Sequence, residues 1–460
     1  MTENVVSNVN PLGKDNISKL LFKFAIPSVI AMVVNAIYNL VDQICIGRKI
    51  GPDGNSATTV AFPITTIGLA LALALGQGGA SKQNLELGAG NRKKAEKAIG
   101  NMIVSSLIIS CLLAFLAFVF LKPMLVFFGS STKVMPYAID YTRIVVLGIP
   151  AAVVGTCLNN SIRADGSPVY SMVSMAIGAF INIIFDIIFV FPLNMGMEGA
   201  ALATILGQYV SCFVSAAYIK RFKNITITKE SLKLDFNMCK TIIALGAASG
   251  INQLAMFVCQ IVLNKSMNYY GRQSVYGPDI PIACIGIIMK VNMVFMAIII
   301  GISQGTQPIV SFNYGAKEYK RCRATYVLAT KVILVISIFF FLLFQLCPDV
   351  IIGLFGKGSK YYYDFARKCL KIFLFMTLVN GLQPLTTVFF TSIGKAVKGA
   401  FLALTRQIIF LLPLVLILPK YMGIEGIMYA GPIADFVSFL LVIVLMIYEF
   451  RIMRKLEVEE

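Results

Sequence analysis

A chain of 460 residues with 58% hydrophobic and only 13% charged residues, and a mean hydropathy of +0.81, does not have the composition of a soluble globular domain, in which about a quarter of residues are charged. Its net charge of +18 is spread between apolar runs and forms no single basic stripe, which excludes nucleic-acid binding as its explanation and favours orientation in a membrane. With no histidine and ten scattered cysteines, none in a C-x-x-C spacing, neither structural zinc nor a disulfide framework nor a bound cofactor is expected.

Residues 1–19 are polar, lack the apolar core of a cleavable signal peptide, and read as a cytoplasmic N-terminal segment. Beyond them come twelve apolar runs, at 20–46, 57–80, 98–120, 137–160, 170–192, 199–219, 239–263, 281–306, 325–346, 369–392, 399–418 and 427–448. Each matches the roughly 20 residues that a helix needs to cross a ~30 Å hydrocarbon core. The expected fold is an all-α integral membrane protein with twelve transmembrane helices, multi-pass in the cell membrane, with the lipid bilayer as its main partner. The longest basic connection, "KRFKNITITKESLKLDFNMCK" at 220–240, divides six spans from six. The domains are then a bundle at 20–219, a cytoplasmic linker at 220–238, a second bundle at 239–448 and a cytoplasmic tail at 449–460.

An even number of spans puts both termini on one side. The loops with Lys82 and Arg92–Lys97, with Lys220–Lys240, and with Lys317–Arg323 hold most of the loop cations, so they and both termini are expected in the cytoplasm. Lys357, Lys360 and Arg367, in the 347–368 loop, run against this bias. The halves also resemble each other: "PLNMGMEGAALAT" at 192–204 aligns with "PKYMGIEGIMYAG" at 419–431, placing Pro192 on Pro419 and Glu198 on Glu425. Two six-span halves of equal topology form a parallel repeat, an arrangement typical of secondary transporters.

Few polar groups lie within the spans. "INIIFDIIFV" at 181–190 carries Asn182 and Asp186 four residues apart, on one helix face; Asp42 lies near the end of the first span and Thr204 in the sixth. Intramembrane carboxylates are costly and usually face a cavity or a partner, and oxygen ligands suit a small hard cation such as Na⁺. Asn35, Tyr38 and Tyr141 fit the lining of the same pocket. The bland alternative for Asn182 and Asp186 is hydrogen-bonding glue between helices. The repeat puts Leu263, Ile409 and Pro413 opposite Asp42, Asn182 and Asp186, so this polar set belongs to the N-terminal bundle alone. In the C-terminal bundle Lys290, Asp435, Arg406 and Gln407 mark a candidate substrate route; Lys290 and Asp435 could pair, and snorkelling is the alternative for Lys290. Pro27 is the candidate hinge of the first span.

"FAIPSVI", "NLVDQICIGRKIG", "SIRADGSP", "INIIFDIIF", "GISQGTQPIVSFNYGAKEYKR" and "GPIADFVSF" together resemble the multidrug and toxic compound extrusion (MATE) family, in its MepA-like multidrug branch, from Lys19 to about Arg451. The resemblance implies two six-helix bundles forming a V around a central cavity. It also implies export of amphipathic, often cationic drugs in exchange for Na⁺ or H⁺, with Asp42, Asn182, Asp186 and Thr204 as the coupling residues. No obligate protein partner is implied. A flippase for lipid-linked oligosaccharides, which shares the bundle architecture, is the alternative. It would favour a strongly basic cavity. An enzyme is not expected, because a nucleophile needs a base and the sequence has no histidine and no H-E-x-x-H motif.

Overall fold

The computed structural model describes residues 10–277, 279–353 and 360–459, and among them every regular element is helical. One lobe is α1 (Ile17–Lys49), α2 (Pro52–Gly88), α3 (Arg92–Val119), α4 (Met135–Ala164), α5 (Pro168–Val190) and α6 (Gly196–Ala217). The other is α7 (Phe236–Arg272), α8 (Asp279–Gly315), α9 (Tyr319–Leu346), a bent α10 (Lys360–Phe373 with Thr377–Ser392), α11 (Ala396–Met422) and α12 (Ile424–Val458). With the two halves of α10 counted together, twelve helices among the described residues are long and apolar enough to span a bilayer. Large apolar side chains such as Phe115, Phe213 and Phe339 are exposed, as expected of a surface solvated by lipid.

Helices run past the apolar windows at several ends. α7 fills 236–272 where the apolar run covers 239–263, α1 starts inside the 1–19 segment, and the 449–460 stretch read as a tail continues α12 to Val458. Charged residues stop a hydropathy window but not a helix, because their long stems carry the charge to water. The tenth span begins at Lys360 instead of 369 and bends by 43°. Pro384 follows the bend and has no N–H to bond the carbonyl of Asn380. Arg367 pairs with Asp349 at 2.8 Å, while Lys357 lies outside the described residues. Within α11, Thr405–Leu411 is π-helical. Pro413 cannot donate to the Ile409 carbonyl, which removes an α-type bond where the turn widens.

The repeat is visible as paired contacts. Glu198 and Glu425 sit in the first turns of α6 and α12. Each reaches a base two helices earlier, Arg143 on α4 and Lys368 on α10. The lobes meet where glycines let backbones touch. A Cβ on Gly246 of α7 would stand 1.7 Å from the Ala74 carbonyl oxygen of α2, and one on Gly78 would stand 2.0 Å from that of Ile242. The α8–α1 seam repeats the pattern, Gly305 against Ala25 and Gly301 against Val29. Gly88 meets the Phe312 carbonyl and Gly315 the Leu85 carbonyl, each at 2.1 Å to a built Cβ. That contact is its own pseudo-two-fold partner (315 − 88 = 312 − 85 = 227). Gln307 Nε2 donates across the seam to the Gln77 carbonyl at 2.9 Å and to Ser81 Oγ at 2.8 Å.

The glycine contacts and the Gln307 hydrogen bonds lie toward one end, the end that carries the linker. There Asn313 Nδ2 donates to the Leu12 carbonyl at 3.0 Å and Arg321 Nη2 to the Asp15 carbonyl at 2.7 Å, tying the entry into α1 to the second lobe. The linker itself lies on the first lobe. Asp165, just past α4, accepts from the Lys223 and Asn224 backbone N–H groups at 2.7 and 3.0 Å and from the Tyr218 hydroxyl at 2.9 Å. Burial pushes its carboxyl above the usual range, and these donors pull it part of the way back. Asn101 holds the far end, donating to the Lys233 carbonyl at 3.2 Å and accepting from the Asp235 N–H at 2.6 Å.

α8 shows how the lobes diverge. At about 100° per residue, positions 283, 286, 290, 293, 297, 301 and 305 fall on one stripe. Gly305, Gly301 and Ala297 on it are buried, whereas Met293, Lys290, Gly286 and Ala283 are exposed. A face that packs on α1 at the linker end is therefore open at the other end, and the space between the lobes is a cleft.

Candidate functional site

α1 presents Asn35, Tyr38 and Asp42 at i, i+3 and i+7, one face of the helix. Asp42 is 13 residues beyond Val29, which turns it by about 140° from the α8 seam and into the first lobe. There it meets α5, where the spacing of four brings Asn182 and Asp186 onto the buried side, 2% and 0% exposed. The Asp42 and Asp186 carboxyl groups face each other. Asn182 Nδ2 donates to Thr204 Oγ1 of α6 at 3.4 Å, and Thr204 in turn donates to the Ala200 carbonyl at 3.0 Å. The phenols of Tyr38 and Tyr141 lie beside both carboxyl groups. Small residues make room for this: Gly178 and Gly207 bring α5 and α6 close, each within 2.7 Å of the other's carbonyl by a built Cβ.

Asp42 Oδ1, Asn182 Oδ1 and both oxygens of Asp186 are buried and have no donor. Four orphaned oxygens on three neighbouring residues do not fit a hydrogen-bonded helix brace, because a brace is stabilising only when its buried polar atoms are satisfied. They do fit a small cation or a proton. The structure thus brings Asp42, Asn182, Asp186, Thr204, Tyr38 and Tyr141 together. For Asn35 it gives a backbone role, its carbonyl accepting from Asn39 Nδ2 at 2.7 Å. Asn39, which the sequence reading passed over, also contacts Tyr38; its position next to Tyr38 was the available signal. Pro27 lies buried inside an unbroken α1, between the Ala25 and Val29 contacts with α8.

The second lobe is built differently. Asp435 of α12, 5% exposed, is paired with Arg406 of α11 and not with Lys290. Arg406 belongs to the π-helical turn, as does Gln407, whose carbonyl accepts the Cys259 thiol at 3.0 Å. The wide turn aims a guanidinium at the buried carboxylate, so the carboxylate here has an internal cation. Arg406→Ala leaves Asp435 buried and unpaired and is expected to destabilise the protein by about 3–5 kcal/mol, whereas Arg406→Met with Asp435→Leu costs little. Thermal unfolding of the purified variants in detergent checks this. Equal losses from the single and the double variant would show that the pair is not the source. Lys290 stands apart on the exposed stripe of α8.

Relatives match along almost the full length. Multidrug export protein MepA of Staphylococcus haemolyticus is 25% identical over 431 residues, covering 92% of this chain and 91% of that protein. MepA of Staphylococcus aureus MRSA252 is 22% identical, covering 92% of each chain. Among solved structures, an outward-facing multidrug resistance MATE family transporter of the MOP superfamily superposes with a TM-score of 0.89 at 22% identity, over 96% of this chain and 98% of that one. The profile of the family described as MatE matches residues 27–188 and 248–417, one stretch in each lobe. By its sequence, and with the two-lobed fold to match, the chain belongs to the MatE family.

Proposed function

We propose that this protein exports amphipathic, often cationic compounds across the plasma membrane in exchange for Na⁺ or H⁺, by alternating access. The observation that carries the reading is the set of orphaned oxygens on Asp42, Asn182 and Asp186, placed behind α1, which also packs on α8 in the lobe seam. The names of the MepA relatives support the multidrug part. In this reading a cation or proton offsets the cost of keeping two facing carboxylates in a medium of low dielectric. Occupancy then favours one position of α1, whose freedom at Pro27 lies in the α8 seam. A drug that prefers the other position is coupled to the ion by the difference in their affinities for the two states. No prosthetic group takes part in the cycle. Purified protein in liposomes, with Na⁺ and pH gradients imposed separately, tests the reading. Drug movement is expected to follow one of the two gradients, and uptake that ignores both would sink it.

The orientation is part of the proposal. The linker end carries most of the loop cations, so it is assigned to the cytoplasm with both termini, and the cleft then opens outward. In a cysteine-free background, Thr132→Cys is expected to react with an impermeant maleimide on intact cells. Lys229→Cys is expected to react only after permeabilisation. The reverse pattern would invert the assignment.

A further inference from the structure

Lys290 is the charge that the coupling chemistry leaves unused. It is the twelfth residue of a 37-residue helix, within the apolar run at 281–306, where an ammonium group is expensive and needs a counter-charge or water. Among the described residues it has neither an ion pair nor a hydrogen-bond partner, and it is exposed. Its direction is set by the seam. Eleven residues separate it from Gly301, which puts it about 20° past three full turns, on nearly the same azimuth, and about 16 Å farther toward the open end. Gly301 packs on Val29, and the helices are antiparallel, since Gly305 packs on Ala25. Lys290 therefore faces the cleft at the depth of Leu40. The wall around it is bare: a Cβ built on Gly286, one turn away on the same stripe, meets nothing within 4 Å.

Farther out the wall stays cationic. A cavity of about 460 Å³ at the mouth of this lobe is lined by Asn264, Lys265, Asn268, Tyr269 and Arg272 of α7 with Ile282 of α8. Neither Lys265 nor Arg272 is in an ion pair among the described residues. The buried acid Asp435 of the same lobe is already matched by Arg406. One wall of the cleft therefore offers unpaired cations in depth order, while the acids of the other lobe lie behind α1.

We propose that Lys290 is an anion subsite of the cleft, taking the carboxylate of aromatic amphiphiles that carry one, zwitterions included, and that Lys265 and Arg272 lead such a group outward. This deepens the drug-export reading and rests on it, because it assigns a specificity-determining residue to the same cleft. An ammonium group exposed in a narrow cleft attracts a carboxylate more strongly than it would in bulk water, whereas the corresponding ester gains nothing from it.

The test uses a matched pair of dyes, rhodamine 110 with a free carboxylate and rhodamine 123, its methyl ester. Binding of each to the full chain in nanodiscs is followed by fluorescence polarisation. Lys290→Gln is expected to weaken rhodamine 110 about tenfold and rhodamine 123 less than twofold, and Lys290→Arg to keep the wild-type preference. Equal losses for both dyes, or no loss for either, would overturn the subsite while leaving the drug-export reading in place. A wild-type protein that binds neither dye would count against that reading and would take the subsite with it.

Discussion

Asp186→Asn is expected to reduce ion-driven efflux to the passive background while the protein stays in the membrane and still binds drug. Asp186 has both oxygens buried without a donor, and the carboxyl group of Asp42 faces it. Replacing one oxygen with an amide removes the charge that a coupling cation or proton would answer. A tenfold Na⁺ gradient is worth about 1.4 kcal/mol, and ~100 mV adds about 2.3 kcal/mol per net charge moved. Together they sustain a several-hundredfold gradient of a neutral drug, and the variant should lose all of it. Asp42→Asn should do the same, and the double variant should be little worse than either single one, because the two carboxyl groups act as one site. The measurement is drug accumulation in proteoliposomes under an imposed ion gradient. Efflux by Asp186→Asn at the wild-type rate would move the site elsewhere.

The second large effect is expected at the seam. Gly246→Val places a Cβ 1.7 Å from a backbone oxygen of Ala74, which cannot swing aside as a side chain can. The linker ends of the lobes must separate, and the population should shift toward a state open at that end. Spin labels at exposed Lys93 and Lys320 should report a longer distance by pulsed electron resonance. Substitutions to alanine should rank by the room available, Gly246 and Gly78 (2.0 Å) ahead of Gly305 (2.7 Å) and Gly250 (2.8 Å). An unchanged distance distribution for Gly246→Val would mean that the seam does not hold the lobes together.

Much of this was legible in the chain. Twelve apolar runs mark twelve spans because lipid requires every backbone group to be paired within its own helix. Asp42 and Asp186 stood out because acids are rare in such runs. The 227-residue repeat, read from Pro192, Glu198 and their counterparts, reappears as matching ion pairs and matching glycine contacts. What stayed hidden depends on partners distant in sequence. Nothing local says that Gly246 touches Ala74, or that Arg406 and not Lys290 reaches Asp435. The π-helical turn at Thr405–Leu411 is also silent in hydropathy, since widening a turn leaves its composition unchanged. Lys290 was visible as an oddity, but which way it faces followed only from the Gly301–Val29 contact.

The linker carries a mechanical consequence. A 14-residue strand of coil between two bodies would act as a slack tether, letting them slide as well as swing. Here the Asp165 and Asn101 hydrogen bonds fasten it to the first lobe as far as the Asp235 N–H. Asp235 also caps α7, its Oδ1 accepting from the Asn237 and Met238 N–H groups at 3.0 and 3.2 Å. Almost no free chain is left between the fastened strand and the helix. The second lobe is thus mounted as a door on a post, with its pivot at the foot of α7. If the lobes alternate as proposed, their motion is expected to be a rotation about that foot, which would gear a small opening at the linker end to closure of the cleft at the other.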